Sequence, residues 1–210
     1  QLRTEVVPRH ADVTTGKDMA FMKLPVVWWC FGFFLLSTMT LAVVQSFSVS
    51  LLKAMHGVSF EAATMTLTAY MLCGAFGMFM GGFVAARLPR HSDRVVAVCM
   101  TAAAFCLALC ATGIFGATGT MVVLAATGLA VGIGGPSRDM MIKKATPKGA
   151  TGRVYGMVYS GLDVGFAISP LIFGVFMDRG WYAATLAGAA LVLLLSVGAA
   201  LGVGRRTSKA

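Results

Sequence analysis

The sequence offers few side chains that could do chemistry, and the most unusual is an acidic residue inside a long apolar segment. Asp163 is the only charged residue between Val154 and Met177, and in a helix it would lie about 14 Å from the start of that segment. A carboxylate in mid-membrane costs about 2.5–3.5 kcal/mol, so it persists where it is paired, protonated or beside a water-filled path. Two interpretations stay open: a group that binds and releases a proton, or a carboxyl hydrogen-bonded to Ser or Tyr of a neighbouring helix.

A second group of charged residues follows the fourth apolar segment, where Arg138 and Asp139 are adjacent. The two could pair with each other or with another part of the protein. Alternatively, the Arg138 side chain extends to the lipid headgroups and only helps to set the membrane orientation.

No other pattern indicates catalysis or a bound cofactor. The sequence has no nucleophile–base arrangement, no phosphate-binding loop and no cluster of metal ligands, so we predict no enzyme, no metal and no cofactor. The five cysteines all lie in apolar segments without a CxxC pair, which favours buried apolar side chains over a disulfide framework.

These residues must be positioned by membrane helices. The chain is 58% hydrophobic and 12% charged, and a helix needs about 20 apolar residues to cross a bilayer. We predict an all-α membrane protein with a connector at 1–23, a transmembrane bundle at 24–204 and a tail at 205–210. Its six spans are expected at about 24–52, 62–86, 95–115, 118–137, 154–177 and 181–203.

The distribution of basic residues predicts which side each loop occupies. With six spans, 15 of the 17 Lys and Arg residues fall on one side, and only Lys53 and Arg179 fall on the other. Basic residues concentrate in cytoplasmic loops, so both termini are predicted to be cytoplasmic. The 15 are Arg3, Arg9, Lys17, Lys23, Arg87, Arg90, Arg94, Arg138, Lys143, Lys144, Lys148, Arg153, Arg205, Arg206 and Lys209.

Polar and small residues follow stripes on several of the predicted helices. Thr38 and Gln45 lie on a polar stripe of the first span, and Thr120 and Thr127 on one of the fourth, which predicts contact with protein or water. Small residues at four-residue spacing let helices approach closely, and the fifth span carries two such ridges, which predicts that it packs between neighbours. Roles in packing or bending are predicted for Gly77, Gly81, Gly134, Gly135, Pro136, Gly156, Gly161, Gly165 and Pro170.

Two motifs resemble a known family. The segment from Gly82 to His91 is similar to the GxxxDRxGRR cytoplasmic motif of the major facilitator superfamily, with Ala86 at the Asp position and Pro89 at the second Gly position. The segment from Gly152 to Asp178 is similar to the tenth-to-eleventh helix region of many members. The resemblance implies two inverted three-helix repeats that form the C-terminal half of a twelve-helix carrier.

The resemblance also implies a function. We expect a secondary transporter of small organic solutes that works by alternating access, coupled to protons through Asp163, either exporting drugs and metabolites or importing an organic ion. Spans one and four would line the cavity, two and five would contact the missing N-terminal half, and three and six would face lipid. The residues themselves, rather than the resemblance, suggest Arg138 and Asp139 as part of a cytoplasmic gate.

The expected partners are a small-molecule substrate, protons and the lipid bilayer, without nucleic acid, and the expected location is a bacterial inner membrane. The alternative is a non-transporting sensor or assembly subunit on the same scaffold.

Overall fold

The computed structural model describes residues 24–146 and 151–207, with side chains up to residue 204, and these residues form six long α-helices. The helices are α1 (Pro25–His56), α2 (Phe60–Arg87), α3 (Ser92–Thr112), α4 (Gly116–Ala145), α5 (Thr151–Asp178) and α6 (Tyr182–Thr207), with a 3-10 turn at Pro89–His91 before α3. All six are long and apolar enough to span a membrane. The predicted all-α class is therefore confirmed.

Local sequence signals explain the ends of these helices. Pro25 occupies the first turn of α1, where its missing N–H is not needed, and Gly57 ends the helix with a positive φ of 64°. The Ser59 side chain accepts a hydrogen bond from the backbone N–H of Ala62 and so caps α2. Short turns after α1, α3 and α5 make consecutive helices antiparallel.

The helix bounds differ from the predicted spans mainly at α4. The fourth span was expected to end at 137 with a connection from 138, whereas α4 continues past Pro136 to Ala145. The predicted connector at 1–23, residues 147–150 and the last three residues lie outside the described part, and α6 continues to Thr207, into the predicted tail.

Helix packing follows the symmetry expected of two three-helix units. Helix α2 packs along α4 and α5 packs along α1, while α3 packs on α4 and α6 packs on α1. Exchanging α1–α3 with α4–α6 leaves these pairs unchanged, and α3 and α6 pack against each other at the junction. We call the two equivalent contacts the α2/α4 seam and the α1/α5 seam.

Glycines bring the backbones together at the α2/α4 seam. A Cβ atom added to Gly77 would lie 2.5 Å from the carbonyl oxygen of Leu129, and one added to Gly81 would overlap the carbonyl oxygen of Ile133. Gly128 and Gly132 of α4 make the reciprocal approach to the backbone of α2. Only glycine permits this backbone separation, so the seam depends on both sets.

The bundle has two chemically different ends. Arg138 lies over the ring of Phe34, which places the end of α4 beside the first turns of α1, and Lys144 donates to the Pro89 carbonyl and to Ser92 Oγ at 2.9 Å. We call this the basic end, because most described Lys and Arg residues lie here. The opposite end carries Lys53 and Arg179.

Candidate functional site

The inward face of α5 fixes its orientation against α1. Cβ atoms added to Gly161 and Gly165 would lie 2.9 Å and 2.7 Å from the carbonyl oxygens of Phe31 and Leu35. One turn further along the same ridge, the buried Ser169 hydroxyl donates to the carbonyl oxygen of Met39 at 2.8 Å. One face of α5 therefore packs against α1.

The opposite face of α5 carries Asp163. Gly156, Ser160, Ala167 and Pro170 share this face, and all five residues are exposed in the described part of the chain. Gly161 and Gly165 contact α1 on the other side of the helix, while nothing lies within 4 Å of a Cβ added to Gly156. That this second face packs against the missing N-terminal half stays a prediction.

The Asp163 carboxylate is unpartnered within residues 24–146 and 151–204, where no hydrogen bond or ion pair reaches it. Its neighbours one turn away on this face are the small residues Ser160 and Ala167 and the aromatic residues Tyr159 and Phe166. The Phe166 side chain is exposed as well. The predicted alternative, a hydrogen bond to Ser or Tyr of a neighbouring helix, does not occur in this part of the chain.

A second cluster lies at the basic end, where α1, α4 and α5 meet. The guanidinium carbon of Arg138 lies 4.9 Å from the centroid of the Phe34 ring, a cation–π arrangement. The Phe34 ring also contacts Tyr159 at 5.5 Å, and Tyr159 stacks on Tyr155 at 5.8 Å. The cluster connects α4 to α5, which do not otherwise pack along their lengths.

Arg138 and Asp139 are close to each other but form no tight ion pair. Arg138 Nε lies 3.8 Å from Asp139 Oδ1, and the side chains are 21% and 48% exposed. The Tyr159 hydroxyl donates to the same carboxylate oxygen at 3.5 Å, a long hydrogen bond. Each contact is weak enough to exchange for another partner.

The polar stripes of α1 and α4 point mostly into the bundle. Thr38, Thr120 and Thr127, predicted to line a cavity, are each no more than 2% exposed, and Gln45 is half-buried. Thr127 donates to the carbonyl oxygen of Val123 within its own helix. Thr38 and Thr127 border one small internal space together with residues of α2, α3 and α6, and Thr120 borders another. That they line a transport cavity stays a prediction.

The glycines near the end of α4 serve helix packing. A Cβ added to Gly134 would lie 2.9 Å from Met100 Cε, and one added to Gly135 would lie 3.5 Å from Met78 Cε. The helix is continuous through Pro136, so the expected bend is not marked by any break in the helix. Neighbouring α2 and α3 hold this segment on two sides.

Sequence reasoning missed three residues that the fold places beside these sites. Phe34 was not distinguishable from other apolar residues of α1, and its contact with Arg138 joins residues 104 positions apart. Tyr155 and Tyr159 carried a usable signal, because two aromatic residues four positions apart share a helix face. His56 lies apart from these sites: it ends α1, and its Nε2 atom is buried.

The comparison with protein families decides the class of this bundle. The model of the Major Facilitator Superfamily matches residues 24–210. The chain belongs to the major facilitator superfamily. No curated protein and no solved structure matches it.

Membership agrees with the six apolar helices and with the inverted packing of the two three-helix units. This member of the superfamily is an integral membrane protein and, in general terms, a transporter of small molecules. Members of the superfamily are generally transporters and not enzymes. Among residues 24–146 and 151–207, no three His, Cys, Asp or Glu residues group as metal ligands, and the five cysteines are free.

Proposed function

We propose that this chain forms one six-helix half of a twelve-helix secondary carrier for small organic solutes, with transport coupled to protons at Asp163. The observation that carries the proposal is the unpartnered carboxylate on the exposed face of α5. An ionised carboxylate at this depth is stable only beside water or a partner outside the described residues.

The surroundings of Asp163 support a coupling role. Gly156 and Ser160 precede it and Ala167 and Pro170 follow it on the same face, so a second helix bundle can approach the backbone closely. A protonated Asp163 is neutral and tolerates this approach, whereas an ionised Asp163 requires water. Proton binding therefore favours the arrangement in which the face is closed, and proton release favours the open one.

The Arg138 cluster supports a gate at the basic end. Its contacts are a cation–π pair, a long hydrogen bond and a loose ion pair. None of them is a strong buried interaction, so the cluster can open at a small cost in free energy. We propose that Arg138 and Asp139 exchange partners with the other half as the carrier changes its exposure. In this proposal the basic end and both termini are cytoplasmic, and the protein lies in the inner membrane of a bacterium.

Transport by the full-length protein in liposomes tests the coupling. The solutes would be tetraphenylphosphonium, ethidium, benzoate and lactate, with a pH-sensitive dye inside. We expect Asp163→Asn to abolish accumulation driven by a pH gradient while retaining exchange of solute without a gradient. Asp178→Asn is the matched control, since Asp178 ends the same helix, and it should keep both activities.

Gradient-driven accumulation by Asp163→Asn at the wild-type level would contradict proton coupling at this residue. Absence of transport of all four solutes by folded wild-type protein would instead favour the sensor or assembly subunit.

Charge reversal tests the gate separately. We expect Arg138→Asp and Asp139→Arg each to lower the transport rate about 10-fold, because each places two like charges next to each other. A 10-fold lower rate corresponds to an activation free energy higher by about 1.4 kcal/mol. The double variant restores an opposite pair and should recover most of the rate. Lys143→Glu is the control, because it reverses the charge of an exposed residue on the same helix. If the double variant lost as much transport activity as the single variants, an exchange of charged partners would be contradicted.

A further inference from the structure

Buried polar atoms without a hydrogen-bond partner concentrate at two places in this bundle. Within the described residues, six buried side-chain atoms have no hydrogen-bond partner. Five of them belong to residues that line two small cavities, and each cavity is bordered by both α1 and α4. The six atoms are Thr38 Oγ1, Ser48 Oγ, His56 Nε2, Thr120 Oγ1, Ser137 Oγ and Arg138 Nε.

The first cavity lies near the end of the bundle opposite the basic end. Ser48 and His56 border it from the last turns of α1, and Thr120 borders it from the first turns of α4. The residues Ser48 and Thr120 are only 1% and 2% exposed, so bulk water does not reach their hydroxyls. Its remaining lining is largely apolar, and its volume is about 10 Å³.

Leaving three such atoms unsatisfied would be costly. Removing a hydroxyl from water without a new hydrogen bond costs on the order of 1–3 kcal/mol, and the great majority of buried polar groups in folded proteins are paired. Ser48 Oγ and Thr120 Oγ1 can each donate and accept, and His56 Nε2 can do either, depending on its tautomer. A ligand of this cavity must therefore both donate and accept hydrogen bonds.

We propose that this cavity holds one ordered water molecule, bound by Ser48 and Thr120; His56 lies eight residues after Ser48 on α1, about 12 Å along the helix axis, and does not share it. A water needs about 10–15 Å³ and two to four polar partners, and the cavity provides both. A cation is disfavoured because none of the lining residues carries a negative charge, and the Cys110 thiol already donates to the Thr120 carbonyl oxygen at 3.8 Å. An anion larger than water does not fit the volume.

The second cavity repeats the arrangement toward the basic end. Thr38 and Arg138 both border a space of about 20 Å³, again between α1 and α4. Their Oγ1 and Nε atoms have no hydrogen-bond partner, and Thr38 is 2% exposed. The same reasoning places one water there. Water thus connects α1 and α4, the first helices of the two three-helix units, in both cavities. Such a water can change its partners as the helices shift, so that no polar atom is left unpaired.

Thermal unfolding of the full-length protein in nanodiscs distinguishes a hydrated cavity from a dry one. In a hydrated cavity, Thr120→Val and Ser48→Ala each remove a partner of the water, and we expect each to lower Tm by about 2–6 °C. In a dry cavity the same changes remove an unsatisfied hydroxyl and leave Tm unchanged or higher. Thr66→Val is the matched control, because the Thr66 hydroxyl is 3% exposed but already donates to the Ala62 carbonyl oxygen at 2.8 Å.

Combining the two changes tests whether one water is shared. With a shared water, the Tm decrease of the Thr120→Val, Ser48→Ala double variant is smaller than the sum of the single decreases. Additive decreases, or a Tm at or above that of the wild type in the single variants, would overturn the proposal. If a variant does not fold, the density of the wild-type protein decides. A structure that resolves other internal waters but none beside Ser48 and Thr120 contradicts the proposal.

Discussion

The α2/α4 seam and the α1/α5 seam are equivalent in packing but not in the surfaces behind them. In both, two glycines four residues apart bring the helix against backbone carbonyls of its partner. Phe79 of α2 and Asp163 of α5 each lie two residues after the first glycine of the pair and point away from the seam, and both are exposed. The same scaffold thus presents a large apolar ring in one unit and a carboxylate in the other.

The surfaces around these two positions differ less. The outward face of α2 includes large apolar side chains such as Phe76 and Phe83. The outward face of α5 also carries aromatic residues beside Asp163, namely Tyr159 and Phe166, together with small ones. Packing symmetry between repeats therefore does not imply chemical symmetry, and the proposed proton coupling uses a carboxylate that only the second three-helix unit has at this position.

The largest predicted effect compares glycines of the two seams. Gly132→Ala places a Cβ atom onto the Gly74 carbonyl oxygen, and we expect a cost of about 3 kcal/mol and loss of most folded protein. Gly161→Ala meets the Phe31 carbonyl oxygen at 2.9 Å and should cost about 1 kcal/mol. Folded yield by size-exclusion chromatography measures both.

Gly82→Ala is the control for these variants, because nothing lies within 4 Å of the added Cβ. Equal yields of Gly132→Ala and Gly82→Ala would show that the α2/α4 backbones are not in close contact.

A smaller effect is expected from the hydrogen bond that only one seam has. Ser169 of α5 donates to the Met39 carbonyl oxygen, whereas the equivalent position of the α2 ridge is Ala85. Ser169→Ala makes the two ridges alike and should cost about 0.6 kcal/mol, the average for such bonds in membranes. This corresponds to a Tm decrease of about 1–2 °C.

Ser160→Ala serves as its control, since the Ser160 hydroxyl is exposed and bonds only within α5, to the Met157 carbonyl oxygen. A Tm decrease for Ser160→Ala as large as that for Ser169→Ala would remove the distinction between the inward and outward faces.

Much of the fold follows from the sequence alone. Apolar length determines the six helices, and four-residue spacing identifies Gly77, Gly81, Gly161 and Gly165 as positions of close approach. These are local properties of single helices. They need no knowledge of which helix is the partner.

The outcomes that the sequence does not determine depend on tertiary contacts. Two ridges on α5 were equally plausible, and only the position of α1 decides that Asp163 is exposed. Helix α4 remains helical beyond Pro136 because its glycines are held against neighbouring helices, which offsets the hydrogen bond that proline removes. The Thr120 stripe likewise needed its neighbours before its buried side could be identified.

The central claim is that the outward face of α5 borders water while that of α2 is dry. Its most direct test is thiol labelling of the full-length protein in membranes, with the five native cysteines replaced and one cysteine introduced by Asp163→Cys or Phe79→Cys. A charged, membrane-impermeant methanethiosulfonate reagent should modify the cysteine at position 163 at least about 10-fold faster than that at position 79, because the thiolate forms only where water reaches it. Equal rates, or no reaction at position 163, would contradict the account.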